Sequence, residues 1–175
     1  MIPIIYDFGK DTENFFLSNF FPIPLTVTFV TKEGQSFTET YPSSEHAFQA
    51  AKTQVLEERQ EFQNNDMKAW KAKKLGAVVT LRKDWNSAKV GTMLSLLYIK
   101  FQNPELRDKL LGTLPKMLIE GNYWHDNFWG VCFCPDSNKG CNGSSGANTL
   151  GRLLMQVRSS LHSGPKENPP VTVVL

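Results

Sequence analysis

The chain of 175 residues has no uninterrupted apolar run of about 18 or more residues, so it contains no obvious membrane-spanning helix. Its first residues lack the basic start, long apolar core and small-residue cleavage site of a secretion signal, so we expect a soluble, unexported protein. Cysteine is scarce: three residues packed into ten positions suit a reducing compartment better than a disulfide framework. Together these absences predict a cytoplasmic protein.

An excess of charge of one sign is also lacking. Lys and Arg number 19 against 17 Asp and Glu, and a net charge of +2 does not by itself indicate nucleic-acid binding. Basic residues nevertheless concentrate in one stretch, at Lys68, Lys71, Lys73, Lys74, Arg82 and Lys83. They could contact phosphates, or they could form a solvated helix face.

The order of apolar and polar residues predicts a helix-rich α+β domain with its strands mainly near the front. "IPIIYDF" and "KMLIEG" are expected strands, and "LTVTFV" with "QSFTETY" alternate as in a hairpin. Helices are expected after Tyr41, from Asp66 as N-cap to Gly76, from Asp84 or Asn86 to Phe101, from Asn103 to Gly112, and over "TLGRLLMQVRSSL". We assign residues 1–163 to one domain and residues 164–175 to an extended, loosely held tail.

The segment "YPSSEHAFQAAK" predicts a short helix, which Ser43 or Ser44 can cap, with a polar stripe beside its apolar one. The apolar arc consists of Ala47, Phe48, Ala51 and Val55. Glu45, Gln49 and Lys52 form a second stripe about 100° away, where a carboxylate can line a cavity. The alternative is an ordinary exposed face, with Glu45 stabilised by the N-terminal helix dipole.

The helix predicted after Asp84 carries two lysines within its apolar arc. Lys89 lies between Trp85 and Met93 on the helical wheel, and Lys100 lies three turns further along. A desolvated amine becomes nucleophilic near neutral pH and can attack a sugar carbon as a Schiff base. For Lys89 this interpretation and a side chain that extends to water remain equal alternatives, whereas for Lys100 we predict the extended side chain.

The segment "EGNYWHDNFWG" interleaves Glu120 and Asp126 with four aromatic residues: Tyr123, Trp124, Phe128 and Trp129. Aromatic rings can stack on a nucleobase, and a nearby carboxylate can transfer a proton or stabilise a cationic sugar. A hydrophobic plug is the alternative, although the length of the loop favours function. The glycine-rich run before Arg152 and Arg158 could bind phosphate, but it matches neither a Walker A loop nor a dinucleotide fingerprint.

His125 and the three cysteines, Cys132, Cys134 and Cys141, offer four soft metal ligands. Structural zinc sites usually bring paired cysteines from two separated knuckles, whereas this sequence has one C-x-C pair and one distant cysteine. We therefore predict no metal site. Neither G-x-S-x-G nor HExxH occurs, so serine-hydrolase and zincin chemistry have no support.

Six ordered blocks resemble the NADAR family, also called YbiA-like: "FFLSNFFPIP", "YPSSEHAFQAAK", "LRKDWNSAKVGTM", "KFQNPELRDKLLGT", "DNFWG" and "GANTLGRLLMQVR". The resemblance runs from about Phe15 to Arg158. It implies an N-glycosidase that needs no metal or redox cofactor. Its substrate would be an ADP-ribose conjugate of guanine, in a nucleotide or in nucleic acid, or a small phosphorylated N-riboside such as a ribosylamino-pyrimidine intermediate of riboflavin synthesis.

The same resemblance implies roles for individual residues. Glu45, Lys89 and Asp126 match the catalytic positions. The implied substrate-binding positions are Asn19, Phe20, Gln49, Arg82, Asp84, Trp85, Trp129, Gly130, Asn148 and Gly151. Ala77 stands where relatives tend to have arginine, which leaves the choice of substrate open. The alternative outside enzymes is a module that binds ADP-ribose or a nucleotide and leaves it intact.

Overall fold

The computed structural model describes residues 3–135, 141, 143–164 and 171–175. Its residue contacts divide the chain into two compact units. One unit comprises Met1–Ser18 and Pro104–Pro165, and the other comprises Asn19–Asn103 and Lys166–Leu175. Among the described residues, no helix combines the length and apolar character needed to cross a membrane.

Both units mix helices with strands, as the α+β prediction requires. The strands are β1 (Ile4–Ile5), β2 (Pro22–Val30), β3 (Ser36–Ser43), β4 (Met117–Leu118), β5 (Gly121–Asn122), β6 (Val131–Cys132) and β7 (Thr172–Val174). The helices are α1 (Ser44–Ala50), α2 (Leu56–Glu61), α3 (Ala69–Leu75), α4 (Trp85–Lys100), α5 (Pro104–Leu111) and α6 (Thr149–His162), and a 3-10 turn spans Phe15–Leu17.

A three-stranded sheet in the order β3-β2-β7 forms one side of the unit that contains residues 19–103. The predicted hairpin is confirmed, because β2 and β3 pair antiparallel and Leu25, Val27 and Phe29 point into the core. The prediction of a loose tail is wrong for its last residues. Strand β7 pairs parallel with β2 and buries Val173, because a β-branched segment can satisfy the open edge of β2.

Helix α1 is shorter and more deeply buried than the sequence indicated. Ser43 caps it as predicted, since its hydroxyl accepts a hydrogen bond from the backbone N–H of His46. All seven residues of α1 are buried. Val55 does not belong to this helix: it precedes α2, which the sequence did not predict, and its side chain is exposed.

Two predicted helix starts differ from the observed ones. Asp66 does not cap α3, which begins at Ala69 with Lys68 in the N-cap position; Asp66 instead lies in a turn where its backbone N–H binds the side chain of Asn64. Asp84 does precede α4, but its carboxylate makes no capping bond because it binds Arg82. The ends of α4, α5 and α6 agree with the predictions to within about one residue.

Lys100 corrects another prediction. Its side chain is among the largest fully buried ones, with the residue 2% exposed, so it does not extend to water. The ammonium nitrogen lies 5.7 Å from the ring centre of Phe21 and 5.4 Å from that of Phe101. Both distances fall within the range of cation–π attraction.

The unit that contains residues 104–165 is built around α6. Helix α6 packs against α5 and β4, while β1 pairs parallel with β4 and β5 pairs parallel with β6. Arg158 is buried and donates to the Thr113 hydroxyl and to the Lys116 carbonyl oxygen, each at 2.8 Å. Its role is therefore to tie α6 to the segment after α5.

Candidate active site

Glu45 is a buried carboxylate at the start of α1. The residue is 6% exposed, so the interpretation as an ordinary surface residue is wrong. Its Oε1 accepts a hydrogen bond from Nε2 of Gln49 at 2.7 Å, one helical turn further along, and its backbone N–H donates to the carbonyl oxygen of Asn19 at 3.0 Å. A carboxylate held in this way and shielded from water is suited to proton transfer.

Lys52 continues the polar stripe of α1 and places an amine near the Glu45 carboxylate. Its Nζ donates to the Gly76 carbonyl oxygen at 2.9 Å, at the end of α3. Burial lowers the pKa of Lys52, and the negative charge of Glu45 partly opposes that decrease. The sequence pattern found this stripe but did not indicate that α3 would cover its end.

One face of α4 packs towards α1 and the segment at Asn19. The ring of Trp85 lies 5.0 Å from that of Phe48, centre to centre, and the Met93 sulfur accepts a bond from Nδ2 of Asn19 at 3.4 Å. Lys89 lies one turn after Trp85 and one turn before Met93, so it projects from the same face. Because residue 89 is only partly buried, it borders this region and is not enclosed in the core.

Three buried oxygen atoms around Glu45 lack a hydrogen-bond partner within the described part of the chain: Asn19 Oδ1, Ser44 Oγ and Gln49 Oε1. Leaving a buried polar group unsatisfied costs about 1–3 kcal/mol. Unsatisfied oxygens on three residues that adjoin or contact Glu45 are expected where a polar ligand binds. The structure thus brings Asn19, Glu45 and Gln49 together, and it adds Ser44, which sequence reasoning had treated only as a cap.

Arg82 and Asp84 hold the start of α4 in place. The Arg82 side chain is 1% exposed, and its Nε and Nη2 bind the two carboxylate oxygens of Asp84 at 2.6 and 2.8 Å. Its Nη1 donates to the Val174 carbonyl oxygen in β7 at 2.7 Å. These bonds use three of the five guanidinium N–H groups and hold the pKa of Asp84 well below its usual range, while a phosphate contact by Arg82 stays a prediction.

Phe20 and Trp85 differ in exposure. Phe20 is partly exposed next to Asn19, whereas Trp85 is buried against Phe48. A base could therefore reach at most the edge of the Trp85 ring without a rearrangement. A substrate contact by Trp85 stays a prediction, and the observed contact with Phe48 gives that ring a packing role.

Asp126, which belongs to the unit of residues 104–165, is held firmly in its loop. Its Oδ1 accepts hydrogen bonds from the backbone N–H groups of Phe128 at 3.2 Å and Trp129 at 2.8 Å. The side chain of Asn122 bonds to both the backbone N–H and the carbonyl oxygen of Asp126. These contacts fix the orientation of the carboxylate without a regular helix or strand.

The aromatic residues of this loop are not a hydrophobic plug. Tyr123 is 70% exposed and Trp124 is 62% exposed, while Trp129 is partly buried and meets Phe128 edge to face. Exposed rings of this size remain available to stack on a planar ligand.

Gly130, Asn148 and Gly151 form a close-packed junction. A Cβ at Gly130 would lie 2.2 Å from the Glu120 carbonyl oxygen, and one at Gly151 would lie 2.2 Å from that of Leu118. Asn148 adopts a left-handed backbone with φ of 50°. Its amide accepts from the Glu120 N–H at 3.0 Å and donates to the Leu118 carbonyl oxygen at 2.9 Å. These contacts position the start of α6, and a substrate contact by these residues stays a prediction.

The cysteines give a different result from the one their spacing predicted. The fold brings one ligand atom each of His125, Cys132, Cys134 and Cys141 within 4.8 Å of one another. The spacing argument against a ligand set is therefore wrong, because the fold brings the sulfur of Cys141 close to those of Cys132 and Cys134.

Comparison with known proteins places these features in a family. The sequence profile of the NADAR domain matches residues 7–162. The chain therefore belongs to the NADAR family, which confirms the resemblance seen in the sequence.

Two relatives and one solved structure illustrate the range of similarity. The N-glycosidase YbiA of Escherichia coli K12 is 37% identical over 126 residues, which cover 70% of this chain and 72% of that protein. A riboflavin biosynthesis protein of Vibrio vulnificus is 32% identical over 182 residues, 97% of this chain but 41% of that protein. The NMR structure of E. coli YbiA matches with a TM-score of 0.73 at 31% identity, over 96% of this chain and 90% of that one, and it confirms the fold class.

Proposed function

We propose that this protein is an N-glycosidase that hydrolyses the bond between a ribose carbon and a nitrogen of its substrate. The observation that carries this proposal is the buried Glu45 carboxylate, which Gln49 holds by a hydrogen bond, together with the unsatisfied polar oxygens on the neighbouring residues Asn19, Ser44 and Gln49. Membership of the NADAR family and a relative named as an N-glycosidase support the same class of reaction.

In the proposed reaction, Glu45 transfers a proton to the leaving nitrogen while the Lys89 amine attacks the anomeric carbon. The carbon–nitrogen bond breaks, and its electron pair leaves with the base. The sugar ring then opens, its ring oxygen takes one proton from the Lys89 nitrogen, and a protonated imine to Lys89 forms; the water that adds next returns a proton to Glu45. Water adds to the imine, which releases the sugar and restores the amine. In the alternative reaction, water attacks directly with help from Glu45, and Lys89 only supplies positive charge.

Asp126 retains its predicted catalytic part as a proposal. Its carboxylate has a fixed orientation, because the N–H groups of Phe128 and Trp129 bind one oxygen. The partly buried Trp129 and the exposed rings of Tyr123 and Trp124 support a part for this loop in binding a planar base.

For the substrate, we propose an ADP-ribose conjugate of guanine in a nucleotide or nucleic acid. Helix α3 supports this choice because Trp70 is about half exposed, with the Nζ atoms of Lys71 and Lys74 at 5.6 and 4.9 Å from its ring centre. A ring flanked by cations suits both a base and the phosphates beside it. The enzyme would act in the cytoplasm.

A second substrate class is a phosphorylated ribosylamino-pyrimidine of riboflavin synthesis. The name of the Vibrio vulnificus relative as a riboflavin biosynthesis protein favours it. The bond to be broken is the same, so Glu45 and Lys89 would keep their roles.

Borohydride trapping tests the covalent step and the enzyme class together. We expect the protein, incubated with each substrate and then reduced, to release the base and to carry a sugar-containing mass on Lys89. Lys89→Met should abolish the adduct, while Lys10→Met, at an exposed loop position, should leave it unchanged. Base release without an adduct would support direct water attack, and binding without base release of either substrate would contradict the N-glycosidase proposal.

A further inference from the structure

A cluster of three cysteines and one histidine lies in the loop region between β5 and α6. Cys132, Cys134 and Cys141 are buried, and His125 is partly buried. Nδ1 of His125 lies 3.1 Å from the sulfur of Cys134 and 3.4 Å from that of Cys141. The sulfurs of Cys132 and Cys134 lie 3.1 Å apart. A single imidazole nitrogen therefore faces two sulfurs, and all four ligand atoms converge on one point.

We propose that His125, Cys132, Cys134 and Cys141 bind a structural zinc ion. Zinc–sulfur bonds of about 2.3 Å in a tetrahedron place the sulfurs about 3.8 Å apart. The four ligand atoms, which all lie within 4.8 Å of one another, need to move by about 1 Å or less to reach that arrangement. Soft thiolates with one imidazole favour zinc over the oxygen-preferring cations.

The surrounding backbone is organised to hold these ligands in place. Cys132 exchanges two backbone hydrogen bonds with Ser145, at 2.7 and 3.1 Å, and the N–H of Gly143 donates to the Cys134 carbonyl oxygen at 3.1 Å. His125 has a φ of 69°, a left-handed conformation that is uncommon outside glycine, although histidine adopts it more often than most residues. A strained residue that supplies a ligand is expected where binding repays the strain.

Hydrogen bonds to the sulfurs provide a second observation. The backbone N–H of Cys134 donates to the Cys132 sulfur at 3.5 Å, and Nδ2 of Asn127 donates to the Cys141 sulfur at 3.5 Å. Outer contacts of this kind stabilise thiolates and orient the ligands of metal sites.

Two simpler explanations account for less of this geometry. A disulfide would use two sulfurs and leave the third cysteine and the imidazole unexplained, and none of these three cysteines forms a disulfide. Cysteines packed only as small apolar side chains would not need a histidine nitrogen between two sulfurs. The metal set explains all four residues together.

The site would be structural, because four protein ligands fill a tetrahedron and leave no position for a substrate. The zinc ion would also join the two ends of the segment from His125 to Cys132. His125 immediately precedes Asp126, and Cys132 follows Gly130 by two residues. The ion would thereby fix the loop that carries Asp126 and Trp129, whatever reaction the protein catalyses.

Metal analysis of the purified full chain tests this proposal directly. We expect about one zinc per chain by mass spectrometry and, at the zinc X-ray absorption edge, a shell of three sulfurs and one nitrogen. After removal of zinc and reduction, cobalt alone should produce thiolate-to-cobalt charge-transfer bands and the d–d bands of a tetrahedral site.

A graded set of variants locates the ion. Cys141→Ser should weaken zinc affinity most, and Asn127→Ala, which removes an outer contact, should weaken it by about 10- to 100-fold. His162→Ala, at the exposed end of α6, should leave affinity unchanged. If Cys141→Ser fails to fold, the zinc X-ray absorption spectrum of the unaltered protein still shows whether three sulfurs and one nitrogen bind the ion.

Several outcomes would overturn the proposal. They are a reduced apoprotein that binds neither zinc nor cobalt, a zinc shell with fewer than three sulfurs, a disulfide within the cluster in protein made in reducing cells, and equal loss of metal in His162→Ala.

Discussion

The region around Glu45 and the loop around Asp126 both hold a carboxylate, but they hold it in different ways. Glu45 lies in a fully buried helix, and its contacts come from Gln49 in the same helix and from the backbone at Asn19. Asp126 lies in an irregular segment and depends on side-chain-to-backbone bonds from Asn122 and to Trp129. A helix positions a functional group through packing, whereas a loop needs additional cross-links, which is where the cysteine–histidine cluster occurs.

The largest expected effect comes from replacing each carboxylate by its amide. Glu45→Gln should lower the rate of base release by about 10²- to 10⁴-fold, because the amide cannot transfer the proton. Binding and melting temperature should change little, since the amide can still bond Gln49. Asp126→Asn keeps an oxygen that accepts from the N–H groups of Phe128 and Trp129, so the loop should keep its conformation. Any loss of rate would then come from the missing carboxylate.

Mass spectrometry of released base and calorimetric melting measure both variants, with the exposed Glu57→Gln as control. A Glu45→Gln protein that still turns over substrate at the original rate would remove Glu45 from the reaction. If the unaltered protein shows no turnover and Glu45→Gln only lowers its affinity for the substrate, the protein is a binding module.

A smaller effect is expected where α3 meets the Glu45 region. A Cβ at Gly76 would lie 1.9 Å from Oε1 and 2.6 Å from Cδ of Gln49, so Gly76→Ala must displace the side chain that binds Glu45. We expect a loss of about 1–3 kcal/mol in unfolding free energy and a reduced kcat/KM. Gly91→Ala is the matched control, because a Cβ there meets nothing within 4 Å, and alanine in a helix should stabilise by about 0.5–1 kcal/mol.

Denaturant unfolding and steady-state kinetics compare the two glycine variants. If Gly76→Ala retains full stability and activity, the contact between α3 and Gln49 does not matter for the site.

The smallest effect concerns pH. Arg82 lowers the pKa of Asp84 in the folded state, so this carboxylate stabilises the fold above its ordinary value of 3.8 and loses that contribution as the pH falls below it. Asp84→Asn should therefore flatten the dependence of stability on pH in the acid range. Thermal melts between neutral and acid pH measure it, and parallel curves for the two proteins would contradict this assignment.

The sequence predicted regular elements well where local signals agree with packing. The alternation in "LTVTFV" and "QSFTETY" specified the hairpin, and Pro104 and Gly112 marked the limits of α5. It failed where distant segments meet. The pairing of β7 with β2 has no local signal in the sequence. The same is true of the hydrogen bond from Arg82 to the Val174 carbonyl oxygen.

The sequence predicted which residues form the candidate site better than it predicted how deeply they are buried. Helical spacing placed Glu45, Gln49 and Lys52 on one stripe, but burial of all of α1 depends on α3, α4 and the sheet packing around it. Cysteine spacing argued against a cluster because nothing local in the sequence indicates that Cys141 lies close to Cys134. Lys100 was predicted to reach water, since nothing local indicates that Phe21 covers it.

Because Lys100 is enclosed, chemical labelling of its amine reports whether the protein is folded. Amine-specific reagents modify lysines that solvent reaches, and this nitrogen is covered by Phe21 and Phe101 as long as the fold is intact. A label found at this position would come from molecules that had opened, so peptide mapping of one side chain distinguishes intact from unfolded protein in the same tube.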